Sequence, residues 1–135
     1  MISQVERQVA QAQERSNAAT ELVARLERID VEAQSPGGEI KVRVDSSGRL
    51  LGVHIAGTAV RLGSSRLEEL IMDAVGRAQK DAAREAVRLS EELVGEGLAT
   101  QLTGEYEARI GSLDEEPNSE NDGFLRPRGG LLGGR

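Results

Sequence analysis

The sequence predicts an α+β fold of order α-β-β-β-α: a long N-terminal helix, a three-stranded antiparallel meander and a long second helix, with a disordered C-terminal tail. Apolar residues recur at spacings of three and four from Ile2 to Leu26, alternate with a period of two from Val31 to Ala56, and return to helical spacing from Arg66 to about Val94. These changes of period divide the chain into an expected dimerising domain over 1–94, a weakly helical extension over 95–113 and an acidic, then Gly-rich tail over 114–135.

In the first helix Ile2, Val5, Val9, Ala12, Ser16, Ala19, Val23 and Leu26 form an a/d seam on a stretch free of Gly and Pro. The flanking e and g positions are mostly Gln, Thr and Leu, so they specify no parallel partner through charge. Ala12, Ser16 and Ala19 are small enough to let another helix come close. The seam can pack on its own protomer, on a partner, or on both.

The meander is read from alternation and turn chemistry. Ile40, Val42 and Val44 share one face of the second strand, and Glu39, Lys41 and Arg43 share the other. A turn at Ser35-Pro36-Gly37-Gly38 is expected to set Ala33 opposite Ile40, Val31 opposite Val42, Glu32 opposite Lys41 and Asp30 opposite Arg43. A two-residue loop at Ser47-Gly48 is expected to bring Val44 to Leu51, Val42 to Val53 and Ile40 to Ile55, with His54 opposite Lys41 on the polar face.

Gly57 to Ser65 reads as a polar linker, and Ser64 or Ser65 as the N-cap of the second helix, with Glu68 completing a capping box. Leu67, Ile71, Ala74, Val75, Ala78, Ala82, Ala86, Leu89 and Leu93 make its apolar stripe, and Gly95 and Gly97 are expected to stop it. Leu98, Leu102, Tyr106 and Ile110 then hint at a weak helix interrupted by glycines.

Composition narrows the function classes. No cysteine is present, which excludes disulfides and thiolate metal sites, and no cofactor is expected. The polar N-terminus gives no signal peptide and no apolar run approaches the ~20 residues that span a bilayer, so no membrane partner is expected and the cytoplasm is the default location. With Tyr106 and Phe124 as its only aromatics, the core must be aliphatic and alanine-rich, which favours burying more surface in a homodimer. Catalysis has little to stand on. His54 is the lone histidine on a polar strand face, Asp114-Glu115-Glu116 lacks spaced metal-ligand partners, and Gly37-Gly38 precedes a strand rather than a helix.

Basic character remains. Arg77, Lys80, Arg84 and Arg88 fall opposite the apolar stripe, where they can follow a phosphate backbone, and Arg7 and Arg15, with Arg25 and Arg28, are secondary candidates on the first helix. Glu69, Asp73 and Glu91 share the sector of the first set, Asp73 to Arg77 and Arg88 to Glu92 are i,i+4 pairs, and a face so laced is ordinarily a solvated one. The net charge of −6 is uneven: residues 95–135 carry four basic against eight acidic residues, net −4.

Val31-Glu32-Ala33, Gly37-Gly38, Lys41-Val42-x-Val44, Gly48-x-Leu50, Val53-x-Ile55 and Leu67-Glu68-Glu69-Leu70-Ile71, in this order behind a long helix, resemble the YbaB/EbfC family over roughly residues 5–94. The resemblance implies a small bacterial α-β-β-β-α protein that dimerises, binds duplex DNA through basic residues on projecting helical arms and associates with the nucleoid. The arm residues lie outside the motif, so the six basic candidates rest on this sequence alone. A protein-interaction or chaperone-like scaffold of the same fold, binding a protein partner instead of DNA, is the alternative that the negative charge favours. On the DNA reading, the acidic segment from Asp114 to Asp122 is expected to compete with DNA for the second helix's arginines.

Overall fold

A computed structural model of the chain describes residues 3–114: α1 (Gln4–Leu26), β1 (Val31–Gln34), β2 (Ile40–Val44), β3 (Leu50–Ile55), a 3-10 helix (Gly57–Leu62), α2 (Ser64–Leu93) and α3 (Glu96–Ile110). The α-β-β-β-α order read from the periodicity is present, with α3 following it. Of the tail expected over 114–135 only Asp114 is among the described residues, and Ile2 at the head of the heptad seam lies outside them.

Ser3 starts α1 through a reciprocal cap. The Glu6 amide donates to Ser3 Oγ at 3.1 Å and the Ser3 amide donates to Glu6 Oε1 at 2.9 Å. Further along, α1 meets its own protomer through Leu22, which lies beside the predicted seam, and Leu26, the last residue of that seam. Val5, Val9 and Val23 of the seam are left 67%, 63% and 53% exposed.

β2 is the central strand of the sheet, order β1-β2-β3 and antiparallel throughout, and its residues alternate buried and exposed as the period of two requires. Two register expectations need correction. Ala33 pairs with Val42, Val31 with Val44, Glu32 with Arg43 and Gln34 with Lys41, a shift of two residues along β2. The Gly38 amide closes a turn onto Ser35 O at 2.9 Å, Gly38 then takes φ +79°, and Ser35 pairs with Ile40 through the Ser35 amide and the Ser35 hydroxyl. That loop holds four residues where the predicted one held two. Because the shift is even, each side chain keeps its face. Between β2 and β3 the pairs Ile40–Ile55, Lys41–His54 and Val42–Val53 stand as expected, but an irregularity at Arg43/Val44 sets Val44 opposite Leu50 instead of Leu51.

α2 starts at Ser64 with Gly63 (φ 84°) as N-cap and no side-chain cap bond, so the Ser65–Glu68 capping box does not form. The expected linker coils instead into the 3-10 helix, which buries Ala59. α2 then runs across β1 and β2, burying Ala74, Ala78, Ala82, Ala86 and Leu89 from the predicted stripe. Leu70, Ala83 and Ser90 are buried outside that stripe, and α3 folds back along the C-terminal half of α2 to cover a second flank of it. Gly97 and Gly104 lie within α3 rather than breaking it. Packing of Leu98, Leu102, Ile110 and Tyr106 on the core outweighs the ~1 kcal/mol that each helical glycine costs.

β3 has no buried residue. Val53 and Ile55, on the apolar face with Val42 and Ile40, stay 42% and 44% exposed, because α2 lies over the other two strands.

Candidate nucleic-acid interface

The six predicted basic residues divide by their partners. Arg77 Nε donates to Asp73 at 2.9 Å while Nη2 donates to the Gln34 carbonyl at 2.6 Å, so it ties α2 to the end of β1. Arg84 Nε donates to the Leu113 carbonyl at 2.7 Å, fastening the end of the α3 segment, and Nη1 donates to Asp81 at 2.8 Å. Arg88 lies between Glu85 at 2.7 Å and Glu92 at 3.1 Å. Its guanidinium holds the Glu85 carboxyl below the usual carboxylate range. Lys80 is half-buried on the same helix.

The pairs Asp73–Arg77 and Arg88–Glu92 were legible as i,i+4 neighbours. Asp81–Arg84 and Glu85–Arg88 are i,i+3 neighbours, an acid three residues before each arginine, which is a helical-contact spacing too. The struts from Arg77 to Gln34 and from Arg84 to Leu113 join residues far apart in sequence and leave no local signal.

Arg7 and Arg15 are placed differently. Every residue from 4 to 17 is exposed, so this half of α1 stands clear of the protomer, and neither arginine has an ion pair among the described residues. Arg25, where α1 meets the body, pairs with Glu21 at 3.7 Å. The outer sheet face presents Lys41, Arg43 and His54, with Arg43 held by Asp30 at 2.7 Å. Arg7 and Arg15 thus stand apart on a rod, at a spacing that can meet phosphates along a backbone, but each has an acidic neighbour, Glu6 and Glu14, which weakens the positive field there.

The model of the YbaB/EbfC DNA-binding family matches residues 2–98. The chain belongs to that family. A curated relative from Methylocella silvestris, named a nucleoid-associated protein, is 34% identical over 83 residues, which span 61% of this chain and 74% of the relative. The crystal structure of an uncharacterized Helicobacter pylori protein superposes with a TM-score of 0.55 at 14% identity, covering 70% of this chain and all of that one, and so supports the fold alone. The YbaB/EbfC match ends at residue 98, near the start of α3. The family is one of DNA-binding proteins rather than enzymes, and among the described residues no helix is long and apolar enough to cross a membrane.

Proposed function

We propose that the chain acts as a homodimer that binds duplex DNA in the nucleoid, mainly through phosphates and with little preference for sequence. Membership of the YbaB/EbfC DNA-binding family across residues 2–98 is the observation that carries this reading. Dimerisation draws support from the half-exposed Val53 and Ile55 of β3, which a second copy would cover. Arg7 and Arg15 on the standing half of α1 are the primary phosphate contacts, and Arg88 and Lys80 are secondary. Arg77 and Arg84 serve chiefly as struts, since each holds a backbone carbonyl of another segment.

A salt titration on generic duplex DNA tests this. Four or five released counterions give a slope of log K against log salt of about −4, and each engaged arginine changed to Ala, as in Arg7→Ala and Arg15→Ala, flattens it by about 0.9 per phosphate lost, alike on any sequence. Absence of any duplex shift even near ~50 mM salt removes the nucleic-acid reading. The protein-interaction scaffold, which the acid-paired arginines of α2 favour, then takes its place.

A further inference from the structure

The a/d seam of α1 is exposed from Val5 to Val23 even though the same helix buries Leu22 beside it. Its pattern is palindromic. Val5, Val9, Ala12, Ser16, Ala19 and Val23 are spaced four, three, four, three and four, with valines outermost and the smallest residues at the centre. About Glu14 as midpoint, an antiparallel copy places Val5 against Val23, Val9 against Ala19 and Ala12 against Ser16. The small central pairs permit close approach and the outer valines brace both ends.

Sterics choose the same direction. The protomer's bulk sits at the C-terminal half of α1, where Leu22 is buried, and the half from 4 to 17 is bare. A parallel pair would force two bodies together at one end, whereas an antiparallel pair lays each bare half against the other copy's occupied half and opposes the helix macrodipoles favourably. At 100° per residue Arg7 falls on the far side of the helix from the seam, so pairing leaves it facing water, while Arg15 lies on the flank, where the two-fold sets it beside its own copy on the other helix.

We propose that α1 is a self-association surface, forming a two-fold antiparallel pair with α1 of a second copy through the Val5–Val23 seam, distinct from the contact made by β3. Two different two-fold contacts on one chain join dimers into a tetramer or an open array. Where the DNA reading also holds, such an assembly carries more than one DNA-binding surface and bridges separate duplexes.

The register makes the idea testable on the full chain by sedimentation velocity, with no DNA present. The exposed substitutions Val5→Lys and Val23→Glu should each lower the assembly state, and the double variant Val5→Lys/Val23→Glu should restore it, because the introduced charges meet across the pair. The control Val5→Lys/Val9→Glu should not restore it. In the Ile55→Lys background the α1 pair should persist as a dimer, and Val9→Glu added there should give monomer. Should Val9→Glu or Val5→Lys leave the mass unchanged, or should the double variant fail to recover it, the antiparallel α1 pair is wrong. If only Ile55→Lys lowers the mass, β3 alone joins the copies, which overturns this inference while leaving the dimer reading intact.

Discussion

Val42 has no exposed surface and lies between Ala33 and Val53 under α2. A carboxylate there has no partner, so Val42→Asp is expected to cost several kcal/mol, of order ~3, read as a lower urea midpoint. Retention of the wild-type midpoint would show that β2 is not central to the core. Charged groups at the surface act through pH. Hydrogen bonds from Ser3 to Glu6, from Arg43 to Asp30 and from Ser47 to Asp45 hold these carboxyls below the ordinary values of 4.5 for Glu and 3.8 for Asp. A folded value below the unfolded one means that their stabilisation is complete above the ordinary range and fades as pH falls through the depressed values. The urea midpoint should therefore be flat from neutrality down to about pH 5 and fall below it, and a midpoint rising on acidification contradicts the assignment. Alternation in the sequence was enough to give Val42 its face. The partner Ala33 was not readable, because Gly38 could enter the turn in more than one conformation and the two-residue and four-residue loops keep the same parity.

At the scale of elements, α3 is the segment the sequence understated. Its glycines argued against a helix, while the contacts that hold it are distant. The Tyr106 hydroxyl donates to the Ser46 carbonyl in the β2–β3 turn at 2.7 Å, and Arg109 stands 5.1 Å from the ring centre. On the other side of that turn Gln79 Nε2 donates to the Gly48 carbonyl at 3.0 Å, so α2 and α3 grip the same loop. Tyr106→Phe removes one of these bonds and is expected to cost about 1 kcal/mol, with faster amide exchange in α3 than in α2. Equal exchange in both helices would mean that the bond holds nothing. Burial raises the Tyr106 hydroxyl above its ordinary 10.0. The docked form is thus favoured fully below that value and loses the advantage as pH rises through the higher folded one, which the absorbance of this single tyrosine follows directly.

For the whole molecule, two long helices and one meander were predictable because each has its own period. What covers them was not. The seam of α1 is patterned to pack, yet the protomer uses only Leu26 of it together with Leu22 beside it, and β3 has the right alternation but lies beyond the reach of α2. Ile55→Lys, on the half-exposed apolar face of β3, should leave helix content unchanged and reduce the mass measured by light scattering. An unaltered mass would exclude β3 from the interface. The DNA-binding candidates were legible as a list of basic residues and not as a site, since pairing within α2 and exposure along α1 arise only when the helices are placed.

α2 approaches the sheet largely through methyl groups, those of Ala74, Ala78, Ala82 and Ala86. Each takes little apolar surface out of water, and the heat capacity released on melting scales with that surface. Calorimetry should accordingly give an increment below the ~12–15 cal/mol/K per residue of average domains. With so small a value the free-energy dome flattens: this fold should lose little stability on cooling, melt over a broad range on heating, and respond to temperature less than an aromatic-cored domain of its length.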